Sequence, residues 1–275
     1  MDPSGPRARQ SQILAEAARG SRVAVEELAA RFGVTPQTVR KDLNHLSARG
    51  LLSRVHGGAT AANTVSNIGY EERRNQAFEA KQAIARVAAA LVADNSSLII
   101  NIGTTTELVA RALYNHTDLV VVTNNINVVN ILSGSPRKEI RLAGGVVRQS
   151  DGAIVGEATV DFINQFKVDT AIIGASALDE DGAVLDFDDR EVAVARAIIQ
   201  NARRTILVAH REKFGKSAPV RICDIGRLDC FVTDLPPPEA FVRACEAGGC
   251  RIIVAGGTRG EGAGAVKGKE TGAAA

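Results

Sequence analysis

The 275-residue sequence predicts an α/β protein in two parts, a small helical unit ahead of a larger domain built on a mainly parallel sheet. Three observations predict it. Residues 1–60 carry helical periodicity, residues 79–255 alternate short β-branched runs with helix-like segments, and residues 61–78, AANTVSNIGYEERRNQAF, are polar with no lasting period. Buried runs alternating with helices call for a sheet covered on both faces. With 45% hydrophobic and 23% charged residues the chain reads as soluble and globular, and the absence of Trp leaves Val, Ile, Leu and Ala to build the core.

Each part divides further. Strand-like runs in the larger domain are LIINI (98–102), LVVVT (119–123), EIRLA (139–143), TAIIGA (170–175), TILVA (205–209), CFVT (230–233) and RIIVA (251–255). Helical patterns fall at 106–114, 125–132, 157–166, 189–201 and 238–247. The polar stretch 61–78 is expected to be a linker, and the Gly- and Ala-rich tail 256–275 to be disordered. The opening MDPSGPRARQ lacks the apolar stretch of a secretory signal, and no run reaches the ~18 apolar residues of a membrane span. Cys223, Cys230, Cys245 and Cys250 show no CxxC spacing, so reduced thiols in or near a cytoplasmic core are expected, and no metal site.

The first unit carries the most specific local pattern. In VAVEELAARFGVTPQTVRKDLNHL (23–46), Val25, Leu28 and Phe32 share one helical face, and Gly33 stops that helix. Thr35 then caps a second helix whose first position is Pro36, a residue with no amide hydrogen to waste there. Val39, Leu43 and Leu46 form its inward stripe. Ala29, Gly33 and Val39 have the spacing of a helix-turn-helix. Together with Thr35, the polar residues Gln37, Thr38, Arg40, Lys41 and Asn44 are candidates to contact phosphates or base edges in a major groove. The following LLSRVHGGAT (51–60) reads as a strand and a Gly-Gly turn, a wing bringing Arg54 and His56. Residues 1–60 hold nine Lys or Arg against five Asp or Glu, the excess expected of backbone binding. A small helical domain with a solvated basic face is the plainer alternative.

In the second domain, Asn101-Ile102-Gly103-Thr104-Thr105-Thr106 follows a strand and opens a helix, a place where phosphate binds readily. An ordinary threonine cap would give much of the same pattern. Two more polar elbows follow, at Asn124 and at Gly144-Gly145 with Arg148 beyond, although Gly-Gly also makes a plain tight turn. Loops after successive parallel strands gather at the carboxyl edge, where open α/β folds bind ligands. Asp186, Asp188, Asp189 and Glu191 crowd a helix start, either as caps or as acceptors for ligand hydroxyls. Lys213 lies on a loop after a strand, in reach of a phosphate or of bulk water.

VTPQTVRKDLNHL with RVHGGA closely resembles the N-terminal domain of the DeoR family of bacterial transcriptional regulators. The resemblance continues through IGTTTELVARAL, VTNNINVVNIL, LAGGVVRQSDGAIVGEATVDFINQF and TDLPPPEAF. It implies a winged helix-turn-helix joined to an α/β sensor domain similar in fold to ribose-5-phosphate isomerases. It implies operator DNA as partner and a phosphorylated polyol or sugar as effector, sn-glycerol 3-phosphate first, with fructose 1-phosphate or a hexitol phosphate as alternatives. It also implies that Gly103 to Thr106 holds the phosphate and that Asn124, Gly144, Gly145, Glu191 and Lys213 line the site. Three positions depart from the family pattern: Asn101 and His210 replace Asp, and Ala195 replaces a basic residue. Asn101 still donates and accepts, so it suits a hydroxyl with altered selectivity. No base-and-acid pair is recognisable, so a non-catalytic, cofactor-free homo-oligomeric repressor is expected. An isomerase-like enzyme with an appended DNA reader is the rival from another class.

Overall fold

The computed structural model describes residues 6–17, 23–48, 52–55, 57–61 and 69–256. His56, the side chain of Arg54, residues 62–68 of the expected linker and the tail 257–275 lie outside the described residues.

The first unit contains α1 (Pro6–Ala17), β1 (Val23–Ala24), α2 (Val25–Phe32), α3 (Pro36–Ala48), β2 (Leu52–Val55) and β3 (Gly58–Ala61). Its strands form an antiparallel sheet in the order β1-β3-β2. Ile13, Val25, Leu28, Ala29, Val39, Leu43 and Leu46 are all buried in one core, the stripe read from the sequence plus a helix ahead of it. Gly33 ends α2 in the left-handed region (φ 63°), where an L side chain is strained. The Thr35 hydroxyl accepts from the Thr38 amide at 3.2 Å and so caps α3. Beneath α3, Asp42 is held by Arg9 at 2.6 Å and Gln10 at 2.8 Å, which ties α1 to the second helix of the motif.

The second unit begins earlier than its sequence pattern indicates. Residues Tyr70–Asn75, inside the expected linker, form a short helix α4, and Phe78–Ala89 form α5. The chain then runs through β4 (Ser97–Ile100), α6 (Thr104–Ala112), β5 (Leu119–Thr123), α7 (Ile126–Leu132), β6 (Lys138–Leu142), β7 (Val146–Arg148), β8 (Ala153–Val155) and α8 (Glu157–Ile163). It continues with β9 (Val168–Ile173), β10 (Ala177–Leu178), β11 (Ala183–Asp186), α9 (Asp189–Gln200), β12 (Ala202–Val208), β13 (Val220–Asp224), β14 (Cys230–Thr233), α10 (Glu239–Gly248) and β15 (Arg251–Val254). All seven expected strands join a single sheet, in the order β15-β14-β12-β9-β4-β5-β6, and every pairing is parallel.

Alternate residues of these strands feed opposite cores, as the two-residue period of a strand requires. Leu98, Ile100, Val121, Ile172 and Val232 pack on one side with Ile84 and Ala88 of α5 and Val109 of α6. Ile99, Val122, Ala171, Ile173 and Phe231 pack on the other with Val194 and Ile198 of α9 and Phe241 of α10. From β4 the sheet grows one way through β5 and β6, and the other way through β9. The crevice between the carboxyl ends of β4 and β9 is therefore a topological switch point. Two small antiparallel additions, β7-β8 and β10-β11-β13, stand apart from the main sheet.

One glycine of the wing tests the first unit. A Cβ added at Gly58 would lie 2.1 Å from the Val23 carbonyl oxygen, across the β1–β3 pairing. Gly58→Ala is expected to destabilise that unit by about 1–3 kcal/mol, read as an earlier transition in urea unfolding, and to lower DNA affinity at least tenfold. An unchanged midpoint would show that the backbone relaxes around the methyl group.

Candidate functional site

Two places carry chemistry. On α3, Gln37, Arg40, Lys41 and Asn44 are exposed and lie at helical spacing on one face. Thr38 is partly covered, and Thr35 is occupied in capping, so its role is to start the helix. Arg40 stands 3.7 Å from Glu26 of α2, both well exposed. Such a pair is weak in water, and a DNA phosphate would displace it readily. The side chains that remain outward are donors suited to phosphates and base edges.

The second place is a cavity at the β4–β9 crevice. Asn101 to Thr106 form one wall, Gly174 to Ser176 after β9 a second, and His210 and Lys213 after β12 a third. Gly103 adopts φ 136° and offers no side-chain cap, so the first amides of α6 have no partner within the helix. Aligned peptide dipoles make that end positive. Lys213 comes from the 3₁₀ turn Arg211–Gly215, and that turn is anchored by Phe214, whose ring lies 4.8 Å from Phe241 and 6.3 Å from Phe231.

Positive charge accumulates here. Lys81 is buried on the inward face of α5 and donates to the Thr104 hydroxyl at 3.0 Å and to the Arg73 carbonyl. Burial, with Lys216 and Arg73 nearby, lowers its pKa to about 8. Burial, then repulsion from Lys216 and Arg73, lowers that of Lys213 to about 7 despite the attraction of Asp186. His210 is buried with its Nδ1 unpartnered, and desolvation plus the three lysines hold it neutral, near 3. Two buried carboxylates complete the lining. Asp186 accepts from the Ser176 hydroxyl at 2.9 Å and the Phe187 amide at 2.7 Å, and Glu191 accepts from Arg148 at 2.8 Å. Burial raises both pKa values, and for Glu191 the charge of Asp186 adds to it.

The expected site residues sort clearly. Asn101, Gly103, Thr104, Thr105, Thr106, Glu191 and Lys213 line the cavity together. Within that set, the Thr106 hydroxyl is used by the loop itself, donating to the Asn101 and Gly103 carbonyls, both at 2.8 Å. Four expected residues do not line it. Asn124 is buried and donates to the Ile154 carbonyl at 3.1 Å. Gly144 and Gly145 are both exposed, and a Cβ at Gly145 would meet Thr159 and Ile154, so the elbow after β6 serves the β7-β8 hairpin. Arg148 stays behind the wall, bonded to Asp151, Asp188 and Glu191. The acidic cluster divides. Asp188 caps α9 by accepting from the Arg190 amide, Asp189 is exposed, and only Asp186 and Glu191 face the cavity. Of the three departures, Asn101 and His210 line the cavity, whereas Ala195 is buried in the core.

Arg73, Gln76, Lys81 and Ser176 also line it and were not read from the sequence. For Lys81 a signal existed. Ile84, Ala85 and Ala88 follow it at helical spacing, which places a lysine in the middle of an apolar stripe.

The chain matches the model of the DeoR-like helix-turn-helix domain over residues 9–65 and that of the DeoR C terminal sensor domain over residues 76–235. The chain belongs to the DeoR family. It is a helix-turn-helix transcriptional repressor, with every lining residue of the cavity except Arg73 inside the part matched as sensor. It is 46% identical to the glycerol-3-phosphate regulon repressor of Escherichia coli (strain K12) over 221 residues, 80% of this chain and 88% of that one. It is 42% identical to the protein of that name from Haemophilus influenzae, over 83% of this chain and 89% of the relative. Among solved structures, the ribose 5-phosphate isomerase A from Neisseria gonorrhoeae overlaps 49% of this chain and 52% of its own at 14% identity and a TM-score of 0.36.

The lysine cluster has a measurable cost. The Lys213 pKa lies below its ordinary 10.5, so between about 7 and 10.5 the unfolded chain binds more protons than the folded one. The lysine therefore opposes folding below that range, and its penalty fades as pH rises through it. Lys213→Met is expected to raise the melting temperature of the ligand-free protein at pH 7 by a few degrees, with less gain at pH 10. A lower melting temperature at pH 7 would show that Lys213 stabilises the empty site.

Proposed function

We propose that this repressor holds an operator through α3 and the wing, and leaves it when sn-glycerol 3-phosphate enters the cavity. The observation that carries this reading is the composition of the lining. Lys81, Lys213 and the free end of α6 suit a phosphate, while Asp186, Glu191 and Asn101 suit the hydroxyls of a small polyol. The relatives named for the glycerol-3-phosphate regulon support that choice among polyol phosphates. Residues 1–60 act as the DNA reader, 79–255 as the sensor, and the stretch between them as the connection. The protein works in the cytoplasm as a homo-oligomer reading repeated half-sites. Among the described residues, no helix is long and apolar enough to cross a membrane. The site binds without turnover: the Glu191 carboxylate is already engaged by Arg148 at 2.8 Å.

Asn101 and His210 favour a second reading, in which the same cavity takes a different sugar phosphate. Both stand at the wall and offer other hydrogen bonds than the carboxylates usual in the family.

Melting curves with sn-glycerol 3-phosphate, glycerol, fructose 1-phosphate, ribose 5-phosphate and inorganic phosphate separate the two. A ligand at 100 times its Kd adds about 2.7 kcal/mol, which a melting curve resolves. A rise with sn-glycerol 3-phosphate alone is expected; a rise with another sugar phosphate instead would replace the effector. Bound phosphate should lift the lysine pKa values from about 7 and about 8, so binding takes up protons. Affinity is then expected to fall at least about tenfold between pH 7 and pH 9 in calorimetric titrations. Constant affinity would place the phosphate away from these lysines.

For the reader, Arg40→Ala is expected to weaken operator binding and to lower the slope of log affinity against log salt by about one. An unaltered slope in a fluorescence-anisotropy titration would remove Arg40 from the phosphate contacts.

A further inference from the structure

The short helix α4 joins the cavity to the chain that leads to the DNA reader. Tyr70, its first residue, stands nine positions after Ala61, the last residue of the wing. Six residues make a helix too short to hold itself, so side chains at its borders must seat it. The Tyr70 hydroxyl donates to Glu107 Oε2 at 2.8 Å and accepts from Asn127 Nδ2 at 2.9 Å. Glu107 belongs to the first turn of α6, the turn that borders the cavity, and its other oxygen accepts from Asn125 and Asn127. At the far end, Gln76 donates to Glu212 at 2.9 Å and accepts from Lys216 at 3.2 Å.

Between these anchors Arg73 is poorly satisfied. The residue lines the cavity, and its buried Nε has no hydrogen-bond partner. Its ion pair is with Asp151 at 3.3 Å, but Asp151 is already gripped by both arms of Arg148 at 2.9 Å and 2.6 Å. One carboxylate thus serves two guanidiniums, and the longer contact belongs to Arg73. A planar cation with an idle donor at a cavity wall is suited to an oxyanion, which it can meet with two parallel hydrogen bonds.

We propose that Arg73 binds the anionic group of the effector, and that α4 carries effector occupancy toward the DNA reader. The inference rests on the proposed phosphorylated effector. In the empty protein α4 sits on Glu107, Asn127, Asp151 and Glu212. An arriving phosphate offers Arg73 a stronger partner than the shared Asp151, re-seats α4 and so alters the start of the connecting segment. The bias comes from a contact made only in the occupied state, as a ligand-driven shift requires.

The test uses the full chain and sn-glycerol 3-phosphate. In Arg73→Gln, effector affinity by calorimetry is expected to fall at least tenfold. In the wild type, amide exchange over residues 70–76 should slow at least threefold when effector binds. In Tyr70→Phe, effector affinity should stay within about threefold, while the effector-induced drop in operator affinity shrinks at least tenfold. Should Arg73→Gln fail to fold, the wild-type exchange and Tyr70→Phe still decide. Unchanged effector affinity in a folded Arg73→Gln overturns the ligand role, and unchanged exchange over 70–76 or a full operator response in Tyr70→Phe overturns the transmission role. If the wild type binds no sn-glycerol 3-phosphate or other sugar phosphate, the proposed function falls and this inference with it.

Discussion

The rest of the sensor is arranged around positive charge gathered beside the free end of α6. Lys81 and Lys213 enter the same cavity as the unpartnered first amides of that helix, and burial pushes both lysines well below the usual range. Folding such a site without its counter-ion costs free energy, because each ammonium leaves water without gaining a full partner. An anion of the right size returns that cost as binding energy. The empty protein is thereby kept as a receptor, less stable than it could be and responsive for that reason.

Topology decides where this charge collects. Strand order reverses between β4 and β9, so the loops that leave those strands part from one another and open a crevice. β12 brings a third loop to it, and the contacts of Phe214 with Phe231 and Phe241 hold the turn that carries Lys213. Asp186 and Glu191 reach the same crevice from β11 and α9. Charge of both signs is buried within one wall-to-wall space, each carboxylate already fixed by a protein donor. That is the arrangement a ligand with one anionic group and several hydroxyls needs.

Asn101 and His210 both stand in that wall. Asn101 turns its side-chain oxygen onto the Ile102 amide at 2.8 Å, which helps hold the loop before α6. His210 is neutral and keeps an unpartnered Nδ1. An amide and a neutral imidazole add no negative charge opposite the lysines, and they govern which hydroxyl orientations are satisfied. The DNA-reading unit depends on local chemistry. Its buried stripe, its Thr35 cap and its Gly33 turn follow directly from residue type.

Local chemistry therefore made the helix-turn-helix legible from end to end, because cap, turn and stripe all lie within twenty-five residues and depend on one another. The same holds for the seven parallel strands, whose β-branched runs have no other stable use, and for the Gly103–Thr106 loop between a strand and a helix. What sequence alone could not decide was which distant elbows meet. Asn124, Gly144 and Gly145 belong to the same kind of polar elbow as Thr104, yet they serve the β7-β8 hairpin rather than the cavity. Arg73 and Gln76 look like linker residues, because a six-residue helix has no period long enough to read and draws its side-chain anchors from far along the chain. Residue type and spacing determine elements and their faces; strand order and long-range ion pairing determine which of those faces share a cavity, and those exist only once the chain has closed.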